Sequence, residues 1–316
     1  MAVYTQVAAD DLAVLLARYQ VGEGIALKGI AEGIENSNFL LDTTCSRFIL
    51  TLYEKRVSCR DLPFFLDLID HLAGRGLPVP RALADRAGER IQRVAGRPAC
   101  LIEFLPGIAV ADPNAAQAEA AGAALGCLHA AARDFERVRR NTLGVADWRP
   151  LLDRCGPGMD EIAPGLHARV DRALAAVEAA WPHHLPHAVI HADLFPDNVL
   201  MLGDRVTGLI DFYFACTEVR AYDLAVMHSA WAFDSGGTRY GAAVGRALVS
   251  GYDASFGLTT EERVALSVLA RGACIRFLLT RAWDWLNTPA DALVTRKDPL
   301  AYLRRLESYE REDLFG

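Results

Sequence analysis

Three polar residues in the second half of the chain have the residue types and the spacing that phosphoryl transfer requires. Asp193 follows a short apolar run, Asn198 comes five positions later, and Asp211 ends another apolar run. In this reaction one carboxylate orients the attacking hydroxyl and accepts its proton, while an amide oxygen and a second carboxylate hold Mg²⁺ against the phosphates of the nucleotide. The pattern predicts that Asp193 is the catalytic base and that Asn198 and Asp211 are metal ligands.

Three short strands are expected to position these residues. Apolar runs at 188–190, 199–202 and 206–210 have the length and composition of buried strands. Gly203 and Asp204 form a turn signal between the second and the third run. A loop after the first strand and a hairpin made of the other two would therefore bring the three polar residues to one end of a small sheet.

The same stretch resembles the catalytic and metal loops of the aminoglycoside phosphotransferase–choline kinase superfamily, which is related to the protein kinases. It reads H-A-D-L-F-P-D-N at 191–198 and I-D-F at 210–212. The protein-kinase pattern is H-R-D-x-x-x-x-N followed by D-F-G. In this chain Ala192 stands in place of the arginine and Tyr213 in place of the glycine.

The resemblance implies a fold and two cofactors. The expected fold is α+β and protein kinase-like, with two lobes. A small β-rich N-terminal lobe over residues 1–105 would bind the nucleotide, and a larger, mostly helical C-terminal lobe over residues 106–316 would hold the catalytic and substrate sites. Turn chemistry at Pro106 and Gly107 marks the boundary. The implied cofactors are ATP and Mg²⁺, and Asp223 is implied to brace the catalytic loop from within.

Two predicted strands near the N-terminus form a hairpin that can cover ATP phosphates with backbone N–H groups, as the glycine-rich loop of kinases does. The turn is centred on Gly33, and Asn36 and Ser37 are the expected polar loop contacts. In kinases the next strand carries a lysine that neutralises the phosphates, whereas this chain has a threonine there. Either Lys55 or Lys28 replaces that lysine, or the metal and the backbone act without one.

The adenine site is expected where a predicted strand over 99–104 ends, because the resemblance places the hinge between the lobes there. The backbone groups of Glu103 and Leu105 would meet the adenine ring. A predicted helix over 61–73 carries Asp67 and Asp70, either of which is a candidate partner for a phosphate-binding lysine.

Composition excludes several classes of protein. The 316 residues are 52% hydrophobic and 23% charged, which is typical of a globular enzyme and not of a disordered chain. The net charge of −7 and the lack of a basic stripe argue against nucleic-acid binding. The seven cysteines occur singly, as in a reducing compartment. Because neither a signal peptide nor a membrane-length apolar run is seen, a cytoplasmic protein with no membrane partner is expected; the oligomeric state is left open.

Further segments resemble the members of the superfamily that phosphorylate homoserine. They read G-I-E-N-S-N-F at 33–39, D-L-P-F-F-L-D-L-I-D-H-L at 61–72 and R-F-L-L-T-R-A-W at 276–283. The implied reaction converts ATP and L-homoserine into ADP and O-phospho-L-homoserine, a step of threonine biosynthesis.

A small amino-acid substrate needs a cation for its carboxylate and an acid for its ammonium group. Arginine near aromatic residues suits a carboxylate through its bidentate fork, so Arg276 or Arg281 is the candidate cation. The candidate acids are Asp197, Glu218 and Asp284.

Three alternatives remain open from the sequence. A choline or ethanolamine kinase needs an aromatic cage for a cationic head group, for which the candidates are Trp231, Trp283, Trp285 and Tyr213. An aminoglycoside phosphotransferase needs clustered carboxylates, and the C-terminal acids are interspersed with arginines. A nucleotide-binding module without catalytic activity is favoured only by the absent strand lysine.

Overall fold

The computed structural model describes residues 5–30, 36–54, 58–288 and 296–315. Two of the predicted nucleotide contacts, Gly33 and Lys55, lie outside these ranges. The chain divides into two compact units, the first ending at Pro106 and the second beginning at Gly107. Which unit binds the nucleotide and which binds the substrate stays a prediction.

The first unit is built on an antiparallel five-stranded sheet with the order β1-β2-β3-β5-β4. Burial alternates along β2, so that Phe39 and Leu41 lie in one core with Leu50 of β3. The elements of this unit are α1 (Ala9–Leu16), β1 (Gly24–Gly29), β2 (Asn36–Thr43), β3 (Arg47–Tyr53), α2 (Leu62–Gly74), β4 (Gln92–Val94) and β5 (Arg97–Glu103).

The second unit is mostly helical and contains two small sheets. Its strands are β6 (Ile108–Ala109), β7 (His187–Ile190), β8 (Val199–Leu202), β9 (Arg205–Leu209) and β10 (Cys216–Val219). Its helices are α3 (Ala115–Ala131), α4 (Val145–Cys155), α5 (Met159–Ile162), α6 (Leu166–Ala180), α7 (Arg220–Trp231), α8 (Ala242–Ser255), α9 (Thr260–Asn287) and α10 (Leu300–Arg311).

Close helix packing in the second unit depends on glycine. Helix α3 carries Gly122 and Gly126 on the side that packs against α8. A Cβ atom on Gly122 would lie 2.0 Å from the carbonyl oxygen of Leu248, so a larger residue cannot fit without moving the α8 backbone. The two glycines therefore allow the close approach of α3 and α8.

The strands around the catalytic loop form two sheets, so the prediction of one small sheet is wrong. Strand β7 pairs with β10, whereas β8 pairs with β6 and β9. The predicted hairpin of β8 and β9 is present. The local sequence pattern did not predict β10, because a strand of four residues carries little periodicity of its own.

Helix α8 begins at Ala242, after a turn that a side chain stabilises. The carboxylate of Asp234 accepts hydrogen bonds from the backbone N–H groups of Thr238 and Arg239. This side-chain turn competes with helix formation and delays the helix. Within the described residues, no helix is long and apolar enough to cross a membrane.

Candidate active site

A buried carboxylate binds the backbone of the catalytic loop, which follows β7. Asp223, near the start of α7, is 0% exposed and accepts a 2.7 Å hydrogen bond from the backbone N–H of His191 and another of 2.7 Å from that of Ala192. Ala192 adopts a left-handed conformation with φ of 64°, which costs an alanine roughly 1 kcal/mol. The predicted bracing role of Asp223 agrees with these contacts.

Arg276 holds the carbonyl group of Ala192, the residue whose backbone N–H Asp223 binds. It is 2% exposed, and its Nη1 donates a 2.5 Å hydrogen bond to the carbonyl oxygen of Ala192. The guanidinium also lies over the rings of Phe214 and Phe277. Such burial does not support the predicted contact between Arg276 and a substrate carboxylate. The structure instead gives Arg276 a role in positioning the catalytic loop.

His191 connects the catalytic loop to the loop that carries Asp211. Its Nε2 lies 3.0 Å from the carbonyl oxygen of Ile210, and its Nδ1 accepts a 3.3 Å hydrogen bond from the N–H of Asp193. Because a carbonyl oxygen only accepts, Nε2 carries the proton and the ring is neutral. Burial lowers the pKa of His191, which maintains this neutral form.

Asp193, Asn198 and Asp211 are brought together by short contacts. The Nδ2 of Asn198 donates a 2.7 Å hydrogen bond to the carbonyl oxygen of Asp193 and lies 3.4 Å from its carboxylate. The backbone carbonyl of Asn198 accepts a 3.0 Å hydrogen bond from Ile210, the residue before Asp211. Asp211 itself is left-handed, with φ of 65°. Two of the three described non-glycine residues with positive φ, Ala192 and Asp211, therefore belong to this site.

The oxygen atoms at this place fit Mg²⁺. Because Nδ2 of Asn198 is used within the protein, the amide oxygen is left for a cation, and Asp211 adds a carboxylate. Mg²⁺ is normally bound by one or two carboxylates together with nucleotide phosphates and not by an all-protein cage. Consistent with this, no group of three or more His, Cys, Asp and Glu side chains in the described ranges could hold a metal.

A buried chain of hydrogen bonds extends behind Asp223. His129 of α3 places Nε2 3.1 Å from the Asp223 carboxylate and Nδ1 2.8 Å from the hydroxyl of Tyr252. Burial alone would raise the pKa of Asp223, but the hydrogen bonds that it receives from the His129 ring and from the backbone N–H of His191 lower it overall. The local sequence gives no indication of these contacts, because the partners of His129 lie 123 and 94 positions away.

The predicted ammonium ligands do not gather at one place. Glu218 lies on β10, where it faces Ala188 across the strand pair and accepts a 3.0 Å hydrogen bond from Asn141. Because β10 is antiparallel to β7, Glu218 is farther from the catalytic loop than Cys216, which pairs with the last residue of β7. Asp197 is exposed in a short 3-10 helix beside Asn198, and Asp284 is half-buried on α9.

The predicted loop contacts Asn36 and Ser37 are strand residues, so their placement in a loop is wrong. They begin β2 and are buried. The Ser37 hydroxyl donates a 2.7 Å hydrogen bond to Glu54. Thr51, at the position of the kinase lysine, donates to Asn38 instead of presenting a charge. Three consecutive polar residues, Asn36, Ser37 and Asn38, hide the start of this strand, because they lack the apolar alternation that indicates one.

The remaining nucleotide candidates have varied surroundings. Glu103 ends β5, is exposed, and exchanges hydrogen bonds with the backbone of Arg81. Leu105 is half-buried, and Lys28 is exposed on β1. Asp67 and Asp70 both pair with Arg90, and Asp67 does so at 2.5 Å.

The predicted aromatic cage is not formed by its candidates. The Nε1 of Trp231 donates a 2.9 Å hydrogen bond to the carbonyl oxygen of Leu194, which braces the catalytic loop. Trp283 is covered by the guanidinium of Arg154 at 4.1 Å, and Trp285 lies near that of Arg296. Each ring is therefore engaged by a different part of the second unit.

Comparison with known proteins gives consistent results. A family model described as "Phosphotransferase enzyme family" matches residues 26–262. A homoserine kinase of Methylorubrum populi is 54% identical over 306 residues, which is 97% of this chain and 95% of the relative. A homoserine kinase of Zymomonas mobilis is 51% identical over 316 residues, which is 99% of this chain and 98% of the relative.

Solved structures resemble the chain at low identity. Amicoumacin kinase hAmiN, in complex with AMP-PNP, Ca²⁺ and Ami, matches with a TM-score of 0.71 and 15% identity over 97% of this chain and 95% of that one. Choline kinase from Cryptosporidium parvum matches with a TM-score of 0.66 and 14% identity over 95% and 93% of the two chains. These likenesses concern the fold alone, and the predicted α+β, protein kinase-like fold is confirmed.

Proposed function

The chain belongs to the homoserine kinases of the phosphotransferase enzyme family, and we propose that it transfers the γ-phosphoryl group of ATP to the hydroxyl of L-homoserine through Asp193. The observation that carries this proposal is the identity of 51% to 54% with homoserine kinases along nearly the whole chain. The convergence of Asp193, Asn198 and Asp211 supports it, because phosphoryl transfer needs these groups side by side.

In the proposed reaction the substrate oxygen forms a bond to the γ-phosphorus while the bond from that phosphorus to the bridging oxygen of ADP breaks. Asp193 orients the hydroxyl and accepts its proton. Asn198 and Asp211 would hold Mg²⁺, which offsets negative charge on the phosphate oxygens when it is bound. The hydrogen bonds of Ala192 to Asp223 and Arg276 keep Asp193 in position before the substrate arrives.

The first unit is proposed to bind ATP, with the backbone of Glu103 and Leu105 at the adenine ring. Thr51 cannot neutralise phosphate charge, so Lys28 or Lys55 is proposed for that task. Asn36 is the remaining candidate contact of β2, since the Ser37 hydroxyl already has a protein partner. The partners are then two small molecules, ATP and the amino acid.

A coupled assay of ADP release tests the substrate. The protein is incubated with Mg-ATP and, in separate reactions, with L-homoserine, choline, ethanolamine or kanamycin. We expect the highest kcat/KM with L-homoserine, and O-phospho-L-homoserine as the product identified by mass spectrometry. A higher kcat/KM with any of the other three alcohols would overturn the substrate and leave the reaction type intact.

A further inference from the structure

A cavity of about 320 Å³ lies beside the catalytic loop in the second unit. Phe195, two residues after Asp193, forms one part of its wall. The charged residues of the wall are Arg281, Lys297, Arg305 and Asp298. With three cations and one carboxylate, the wall carries a net positive charge, although the whole chain is negative.

Arg305 forms a buried part of the positive wall. It is 4% exposed, and its Nη atoms donate to the carbonyl oxygens of Ser229 and Asp234 at 3.1 Å and 2.8 Å. Its buried Nε has no hydrogen-bond partner within the described residues. Carbonyl oxygens satisfy N–H groups but do not neutralise a charge. A buried guanidinium with such partners leaves an uncompensated positive potential in the cavity.

Arg281 supplies donors that a ligand can reach. Its Nη1 donates a 3.1 Å hydrogen bond to the carbonyl oxygen of Asp298, and its guanidinium lies 4.5 Å from the centre of the Tyr302 ring. These two contacts hold the guanidinium plane of Arg281 in one orientation, and the side chain is half-buried. Burial lowers the pKa of Arg281, the charge of Arg305 adds to this effect, and the carboxylates of Asp298 and Asp193 oppose it.

We propose that this cavity binds the α-carboxylate of the amino-acid substrate, with Arg281 as the residue that determines specificity. The proposal rests on the proposed function. A planar carboxylate matches the two-pronged geometry of a guanidinium, and Lys297 adds a second positive charge at the exposed edge. Because Phe195 lines the cavity and lies two residues after Asp193, a substrate whose carboxylate binds there would lie beside the catalytic loop.

The charge of the cavity also accounts for substrate choice. Choline and ethanolamine carry a positive charge and no carboxylate, and an aminoglycoside carries several positive charges. Placing such groups against Arg281, Lys297 and Arg305 brings like charges together at a half-buried site, which is unfavourable. The cavity therefore selects for a carboxylate and against cationic alcohols.

The test compares L-homoserine with 3-aminopropan-1-ol, which has the same hydroxyl and amine but no carboxylate. In Arg281→Met we expect the KM for L-homoserine to rise roughly 10- to 100-fold, as for loss of a charged hydrogen-bond pair. The KM for ATP should change little. The ratio of kcat/KM between the two alcohols should fall by a similar factor, which a general loss of stability does not produce. Arg281→Lys should recover part of the ratio.

Arg263→Met is the matched control, because Arg263 lies on the same helix and pairs with Asp253 at the surface. It should retain the ratio of the parent enzyme. If Arg281→Met does not fold, Lys297→Met replaces it, with an expected rise of several-fold in the KM for L-homoserine. An unchanged ratio in the folded variant would refute the carboxylate site, while activity of the parent enzyme on L-homoserine leaves the proposed function standing. Lack of that activity in the parent enzyme would instead refute the proposed function.

Discussion

At the scale of single residues, the site depends on groups that differ in what they have to do. Asp193 is half-buried next to Asn198 and can meet a substrate, whereas Asp223 and Arg276 are almost wholly buried and hold the backbone of the loop. Asp193 and Asn198 form a first set, which is proposed to act on the reactants, and Asp223 and Arg276 form a second set, which positions the loop. Substitutions in the first set should change turnover, and substitutions in the second set should change both turnover and stability.

Asp193→Asn removes the proton acceptor and retains the size of the side chain. We expect kcat to fall by roughly two to four orders of magnitude, the usual contribution of general base catalysis. ATP affinity, measured by titration calorimetry, should stay within about threefold because no nucleotide contact is altered. A variant that keeps near-normal turnover would exclude Asp193 as the base.

Asp223→Asn tests the positioning set. An asparagine presents one acceptor and one donor to the two N–H groups that Asp223 now accepts, so one of them is left opposite another donor. For buried charged hydrogen bonds of this kind we expect a loss of about 3 kcal/mol or more in the free energy of unfolding. Urea denaturation measures the loss, and kcat should fall with it while the KM for ATP changes less.

At the scale of elements, the sequence pattern predicted the strands and turns that neighbouring residues determine. It missed the contacts between residues that lie far apart in the sequence. The bounds of β8 are those expected at 199–202, and the expected turn at Gly203 and Asp204 lies between β8 and β9. Local periodicity and turn residues determine such elements. By contrast, Arg276 reaches Ala192 across 84 positions and His129 reaches Asp223 across 94, separations at which no periodic signal exists.

The same limit explains the error at Arg276. A buried arginine next to aromatic residues has the same local sequence as an arginine that binds a ligand. Only the packing of α9 against the catalytic loop distinguishes the two, and that packing is a property of the fold. Asp193, Asn198 and Asp211 could be proposed as one site from the sequence because the three lie within 19 positions of one another.

The contact between α3 and α8 at Gly122 leads to a prediction about the stability of the protein. Gly122→Ala should lower the midpoint of thermal unfolding, since the new Cβ meets the Leu248 carbonyl, and overpacking of this kind costs about 1–3 kcal/mol. Gly74→Ala is the matched control. It lies at the end of α2 with only the Arg81 side chain at 3.9 Å, so it should stabilise by up to about 1 kcal/mol through helix propensity. Equal effects of the two substitutions would contradict the packing argument.

At the scale of the whole molecule, buried histidines make stability depend on pH. His228 of α7 is 0% exposed, with Nδ1 at 2.6 Å from the Tyr309 hydroxyl, and His191 is equally buried under the catalytic loop. Burial lowers the pKa of His228 to about 3 and lowers that of His191 as well. In the unfolded chain a histidine titrates near its ordinary pKa of roughly 6.5.

The sign of the dependence follows from where the protons bind. Below about pH 6.5 the unfolded chain takes up a proton at His228 while the folded protein does not, so acidification favours unfolding. For this residue alone the free energy of unfolding should fall by about 1.4 kcal/mol per pH unit between pH 6 and pH 4. His228→Asn, which keeps an acceptor for Tyr309, should reduce the slope measured by urea denaturation by that amount. The same substitution at exposed His183 should leave the slope unchanged, and an unchanged slope in His228→Asn would show that His228 is protonated in the folded protein.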